Sequence, residues 1–496
     1  MMLLSQVQTP DVDVAILLPM LVLAVGGLLI LTFTSVMKNL PAWCITGWTV
    51  LASIVSIITV IPLWDRWMDE GATSTIADSV GFDGFSLFLT VVIAVGVGMA
   101  SLLSHSYLQR EELAGPELHV LLLLSGAGGV IMAFSNDLLV FFLGLETLSM
   151  AVYVLAAMHR RRFESQEAGI KYFVLGSFSS AFLLYGIALL YGATGTTNLV
   201  AMQSVLNTTV IVQDGMLLGG IALLMVGLAF KVGAVPFHSW TPDVYQGAPT
   251  PVVAWMASGV KAAGFAGLIR VLSVALRPMV DDWGPALEAI AAATLVLGAF
   301  SAIVQTDVKR LLAYSSISHA GFILLGVTAA SSRGTAAALF YLASYTFLVL
   351  GTFGVLTVMG GEGDSDHSLD SFRGLARRKP LLSVALLVFL LAQAGVPLTT
   401  GFFAKFEVIG AAIDDGAYWL AIVAMMAAVV AAYLYIKVIV TMFLDEPDED
   451  APSIDVPRTA AIVIGLAAIV TVVFGIFPGP IDDLARDALV QLAAGS

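Results

Sequence analysis

The chain has 496 residues, 59% hydrophobic and only 12% charged, with a mean hydropathy of +0.95 and a net charge of −14. Soluble domains carry about 25% charged residues, so this is the composition of an integral membrane protein and excludes a water-soluble enzyme. The acidic balance excludes a nucleic-acid surface, and the single cysteine, Cys44, excludes a disulfide framework, a cysteine-ligated cluster and a CxxC redox pair.

Apolar windows of about 20 residues predict fourteen transmembrane helices. They lie near 14–34, 42–63, 83–104, 116–134, 136–158, 168–192, 215–235, 250–272, 286–304, 308–328, 334–358, 381–413, 417–443 and 459–478. No Lys or Arg precedes Lys38, so the first span lacks the basic flank of a cleaved signal peptide and is expected to stay. The polar stretches 64–82, 361–380 and 445–458 are too short to bury a core of their own. Asp445, Glu446, Asp448, Glu449 and Asp450 in the last of them read as a solvated connector, with a docking surface as the alternative.

With the loops numbered in order, the odd ones hold Lys38, Arg110, Arg160, Arg161, Arg162, Lys171, Lys309, Arg310, Arg373, Arg377, Arg378, Lys379 and Arg458. The even side holds Arg66, Arg270, Arg277, Arg333 and Arg486. Basic residues mark the cytoplasmic side, so the odd loops are expected there and both termini outside.

Spans seven and twelve are interrupted, the first at Gly233 and Pro236, the second at Gly395 and Pro397. Proline removes a backbone hydrogen bond and clashes with the preceding turn, and broken backbone at membrane depth survives only where protein or water satisfies it. Breaks at corresponding places in two halves point to inverted repeats. The expected fold is therefore an all-α membrane protein with two inverted five-helix repeats, spans 4–8 and 9–13. The expected organisation is an N-terminal segment at 1–115 (the first three spans), repeats at 116–275 and 276–444, and an acidic loop and last span at 445–496.

Glu146, Lys231, Lys261 and Lys405 lie mid-way along apolar spans. A charge at the bilayer centre costs about 2.5–3.5 kcal/mol on insertion scales, and such groups usually serve proton relays or ion paths. Lys231 stands five residues before Pro236, and Glu146 is expected to come close to it and govern its proton. The bland alternative is a static ion pair locking two helices. Lys261 sits among small residues with no acid near in sequence, and is too deep to snorkel. Lys405 follows Pro397 by eight residues; Glu407 points off its face and is read as an interfacial or packing charge. His319, in a serine-rich stretch of span ten, is weighed as relay against hydrogen-bonded packing residue. His238 is read as loop geometry, Lys437 as snorkelling, and Asp137 and Asp307 as helix caps.

No phosphate-binding G-x-x-x-x-G-K-[ST] loop occurs, so ATP hydrolysis is not expected. The histidines His105, His119, His159, His238, His319 and His367 are not paired for haem. A chain that moves protons or ions without its own energy source must use a gradient or a partner.

Four stretches then resemble one family: GLETLS at 144–149, FKVGAVPFHSWTPDVYQGAPTP at 230–251, DVKRLLAYSSISH at 307–319 and GVPLTTGFFAK at 395–405. They are similar to the antiporter-like membrane subunits of proton-pumping NADH:quinone oxidoreductase, respiratory complex I, and most of all to the N-type members. The M type resembles the chain too, but has glutamate where Lys405 stands; the L type has a long C-terminal extension.

The resemblance implies that Glu146, Lys231, Lys261, His319 and Lys405 form a proton-transfer row. It also implies that no cofactor binds this chain and that NADH, FMN, iron–sulfur clusters and quinone belong to partner subunits. The implied setting is the membrane arm of the complex in a bacterial inner membrane. Two other functions remain open at this point: a subunit of a gradient-driven cation/proton antiporter, and a structural scaffold whose charges only lock helices.

Overall fold

In hydrocarbon each backbone N–H and C=O must be satisfied within the chain, which leaves the helix as the spanning element for apolar runs of this length. A computed structural model describes residues 12–37, 40–113, 115–208, 214–448, 453–488 and 490; Lys38, Glu449 and Asp450 lie outside them. Among the described residues thirteen helices are long and apolar enough to cross a membrane. In order they are Val14–Val36, Ala42–Glu70, Gly84–Arg110, Glu117–Phe134, Leu138–Ala156, Phe163–Thr194, Asp214–Val232, Thr250–Ala275, Arg277–Ile303, Val308–Thr328, Ser332–Met359, Tyr418–Phe443 and Arg458–Ile476. Between Ser332–Met359 and Tyr418–Phe443 falls the span expected to be broken, present as two half-helices, Pro380–Ala394 and Thr400–Asp414. Counted in chain order with that one as the twelfth, the fourteen predicted spans are all there.

Span seven ends at Val232, where Gly233 takes a left-handed φ of +75°, and a short helix Trp240–Gly247 follows before span eight. Span two runs past its expected end to Glu70, because Arg66 is held at both ends, by Glu70 at 2.8 Å and by Asp13 at 2.6 Å. The polar stretch expected from 64 therefore begins only after Glu70, as a hairpin pairing Thr73–Thr75 with Val80–Phe82.

Burial sorts the spans into layers. Span eight is wholly enclosed, and spans ten and eleven nearly so, whereas spans one, two, six, nine, thirteen and fourteen turn most of their surface outward. The exposed leucines, isoleucines and phenylalanines of those outer helices suit lipid or a neighbouring subunit.

Polar contacts between loops test the crossing number independently, because only loops of equal parity share a side. Arg110 donates to the Thr357 carbonyl at 2.9 Å, Lys171 pairs with Asp243 at 2.7 Å, and Asp307 bridges Ser368; every one joins odd loops. Arg270 pairs with Asp83 at 2.8 Å, Asp137 bridges Asn198, and Arg333 pairs with Asp414; these join even loops or their adjoining span ends. The acidic stretch after span thirteen is tied to its own chain, Asp445 to Arg373 at 3.5 Å and Glu446 to Arg377 at 3.4 Å.

Candidate functional site

Asp137 caps span five by accepting from the amides of Leu139 and Val140, which fixes the helix that carries Glu146. That carboxylate is half-buried rather than enclosed, and Ser180 of span six donates to it at 2.5 Å. Lys231, in the last turn of span seven, is buried and donates to Ser149 at 2.8 Å. Among the described residues no ion pair joins Glu146 to Lys231. The expected direct contact is replaced by two serines, each holding one member of the pair. Room for the lysine comes from Gly264 of span eight, where a Cβ would lie 3.3 Å from Lys231 Cγ.

Span eight is interrupted by a wide π-helical turn, Met256–Val260, directly before Lys261. Such turns add a residue to the helix and re-aim its face. The Lys261 ammonium donates to the Ser316 carbonyl at 2.6 Å and to its hydroxyl at 2.5 Å, and lies 5.3 Å from the centre of the Tyr345 ring.

His319 is enclosed by phenols. Its Nδ1 lies 2.6 Å from the Tyr341 hydroxyl and its Nε2 3.1 Å from the Tyr435 hydroxyl. A neutral imidazole donates through one nitrogen and accepts through the other, so both contacts are met in either tautomer once the phenols turn. Tyr345 stacks obliquely 4.7 Å away and thus stands between Lys261 and His319. On the other side Tyr435 contacts Ser315 at 2.6 Å, and Ser315 reaches Gln393 at 3.4 Å.

Lys405 closes the row. It lies in the second half-helix of span twelve and donates to the carbonyls of Gln393 and Ala394, at 2.8 and 3.0 Å, at the end of the first. A helix leaves its last carbonyls unbonded and its C-terminus carries partial negative charge. The break therefore supplies the acceptors that a buried ammonium needs. Gly395, at φ +90°, makes the turn between the halves. The two breaks are used differently: Lys231 precedes its break and Lys405 follows its own.

The sequence-selected residues fall into two groups, Glu146 with Lys231 around Ser180 and Ser149, and Lys261 through His319 to Lys405; among the described residues no hydrogen bond or ion pair joins Lys231 to Lys261. Ser149, Ser180, Ser315, Ser316, Tyr341, Tyr345, Tyr435 and Gln393, which hold these groups together, were not singled out. Ser315 and Ser316 at least fall in the serine-rich stretch noted around His319. His238 is half-buried beyond Pro236, and among the described residues no hydrogen bond joins its side chain to the row. Glu407 pairs with Arg486 at 3.4 Å and Arg333 at 3.8 Å, Lys437 donates to the Gln305 carbonyl at 3.2 Å, and Asp307 caps span ten.

Two cations assigned to loops are in fact fully buried. Lys309 donates to the Ala248 carbonyl at 2.8 Å and lies 3.4 Å from Asp364; Arg270 forms a two-pronged pair with Asp83. Among the described residues no group of three or more His, Cys, Asp or Glu is placed to hold a metal ion.

Residues 135–431 match the family described as "NADH:quinone oxidoreductase/Mrp antiporter, TM". NADH-quinone oxidoreductase subunit N of Trichlorobacter lovleyi is 38% identical over 96% of this chain and 97% of its own length. The protein of the same name from Mycobacterium bovis is 49% identical over 77% of this chain and 72% of its own. Among solved structures, a chain of respiratory complex I from Thermus thermophilus, with bound aureothin, superposes with a TM-score of 0.79 at 32% identity, covering 94% of this chain and 99% of that one.

Proposed function

This chain belongs to the NADH-quinone oxidoreductase subunit N family, and from that premise we propose that it is a proton-translocating subunit of the membrane arm of such a complex. Quinone reduction in partner subunits shifts charge along the arm, and the row from Glu146 through Lys231, Lys261 and His319 to Lys405 carries protons in response. The redox cofactors, NADH, FMN, iron–sulfur clusters and quinone, belong to partner subunits in this reading. The chain sits in a bacterial inner membrane, with the base-rich odd face inside and both termini outside. The two five-helix repeats, divided at 116–275 and 276–444, are part of the same reading and are supported by the paired breaks at Gly233 and Gly395.

One observation carries the choice of proton transfer over a static scaffold. Lys231, Lys261 and Lys405 are all buried, and among the described residues each ammonium is hydrogen-bonded by hydroxyls or carbonyls and none by a carboxylate. A buried lysine that only locks helices requires a counter-ion. Neutral acceptors leave it free to lose its proton when a nearby charge changes. The energies match: one charge crossing 100 mV costs about 2.3 kcal/mol, equivalent to a proton-affinity change of under about two pKa units at 1.36 kcal/mol each.

The test is the proton yield of the assembled complex in proteoliposomes. Lys405→Ala and Lys231→Ala are expected to assemble and to lose translocation. A Lys405→Ala complex that pumps with normal stoichiometry would remove that residue from the path.

A further inference from the structure

Span five carries a ladder of polar groups on one face. Glu146, Ser149 and Tyr153 are spaced three and four residues apart, which aligns them on a helix, and Tyr153 stands about 10 Å from Glu146 along the axis at 1.5 Å per residue. Glu146 is held by Ser180, and Lys231 by Ser149. Tyr153 follows Ser149 by four residues on span five, and its hydroxyl lies against Gly176, four residues before Ser180 on span six, so each serine stands one helical turn from it. Its ring meets Tyr172 and Phe173 edge-on, with centroids 4.8 and 5.8 Å away. The hydroxyl itself occupies space left by Gly176 of span six, where a Cβ would overlap it.

The same tyrosine lines a cavity of about 630 Å³ between spans four, five and six. Glu112, Glu117 and Arg160, all exposed, stand at its mouth on the odd face, and Val154, Ile170 and Phe173 form its outer wall. At roughly 30 Å³ per molecule it has room for on the order of twenty waters.

We propose that Tyr153 is the port through which Glu146 and Lys231 exchange protons with this cavity, forking to the lysine through Ser149 and to the carboxylate through Ser180. The inference rests on the proton-transfer reading above and deepens it. In the loading step a hydrated proton in the cavity binds the Tyr153 oxygen as Tyr153 gives up its own hydrogen to Ser149. Ser149 in turn gives its own to the neutral Lys231 Nζ. Each hydroxyl breaks one O–H bond and forms another, the cavity is left with water, and only the two ends change charge. Ser149 at rest donates to the Leu145 carbonyl at 2.6 Å, so its hydrogen must swing round, a rotation that moves no heavy atom. On the other branch Ser180 already points its hydrogen at Glu146. Acid and base therefore draw on one supply, which couples their protonation without contact between them.

The experiment uses Tyr153→Phe in the whole complex, reconstituted in proteoliposomes with a trapped pH dye. Phenylalanine keeps the ring packing and removes only the hydroxyl. Proton translocation is expected to slow about tenfold, less than the ~10²–10⁴-fold of a lost acid–base group because a cavity water replaces one hydroxyl. The solvent deuterium isotope effect on translocation is expected to rise, which loss of packing alone would not cause. Tyr172→Phe is the control: among the described residues that buried hydroxyl has no hydrogen-bond partner, and its variant is expected to behave as the parent.

Wild-type rate and isotope effect in Tyr153→Phe would overturn the port while Lys231→Ala still abolishes pumping. Normal pumping by Lys231→Ala would instead overturn the underlying function. If Tyr153→Phe fails to assemble, Ser149→Ala decides: slowed translocation with a raised isotope effect supports the port, and unchanged translocation removes it.

Discussion

Gly395 and Lys405 occupy the same gap: a Cβ on the glycine would meet the lysine Cδ at 3.0 Å and its Nζ at 3.5 Å. The glycine also holds a φ of +90°, which an L side chain adopts only under strain. Gly395→Ala is therefore expected to cost about 1–3 kcal/mol of stability and to push Lys405 off the carbonyls of Gln393 and Ala394. Thermal melting of the solubilised complex should register the first effect, and dye-monitored proton uptake the second. Normal uptake in a destabilised complex would mean that Lys405 needs no fixed seat.

Lys261→Met and Lys261→Arg separate charge from proton release. Methionine fills the space without charge, whereas arginine keeps the charge and does not release a proton in proteins. Both are expected to abolish translocation in complexes that still contain the subunit. Pumping by the arginine variant would show that a fixed positive charge beside Ser316 is enough.

Tyr435→Phe removes the hydroxyl shared by His319 and Ser315. The loss of each hydrogen bond costs about 0.5–1.5 kcal/mol, so assembly is expected to survive. Translocation is expected to fall, and to fall further than in Tyr341→Phe, because Tyr435 alone continues toward Gln393 and Lys405. Equal effects of the two variants would demote Tyr435 to packing around the imidazole.

Asp364 makes the loop after span eleven sensitive to acid. Although burial opposes its ionisation, the neighbouring Lys309 ammonium and the His367 and Thr250 hydrogen bonds hold its carboxyl well below the usual 3.8. Such a group contributes stability that is complete above the unfolded value near 3.8 and is lost as pH falls toward the lower folded value. His367 acts in the same direction earlier. Burial, outweighing the Asp364 hydrogen bond, sets its folded value below 6.5, so acidification through 6.5 protonates the unfolded ring first and favours unfolding. Melting temperature is expected to fall in two stages as pH drops from 7, and His367→Gln should erase the upper one. Asp364→Asn leaves Lys309 buried without its counter-ion, at a cost of about 3–5 kcal/mol, and should remove the lower stage.

The charges Glu146, Lys231, Lys261 and Lys405 were legible because each interrupts a run that is otherwise apolar. The span count was legible for the same reason, and the agreement in loop parity supports it. Tyr345 and Tyr435 were not legible, since a tyrosine in an apolar span reads as a hydrophobe until its ring is seen against Lys261 and His319, as for Tyr345, or its hydroxyl against His319 and Ser315, as for Tyr435. Lys231 and Ser149 are 82 positions apart, a distance that no local pattern encodes. Lys309 and Arg270 were misplaced for a specific physical reason: each lies at a span end, where a loop carboxylate, Asp364 or Asp83, folds over it and shuts out water. The π-helical turn before Lys261 left no signal in a stretch of small residues compatible with an ordinary helix.

Span eight is fastened at both tips. At its start the amide and hydroxyl of Thr250 are held by Asp364 at 3.0 and 2.7 Å, and at its far end Arg270 is clasped by Asp83. A beam clamped in this way cannot slide along its length; it can only bow or twist between the clamps. The wide turn at Met256–Val260 is the compliant section of that beam, and Lys261 is bolted directly to it. Lys261 is thus the charged group that adjoins the one wide turn lying between the two clamps.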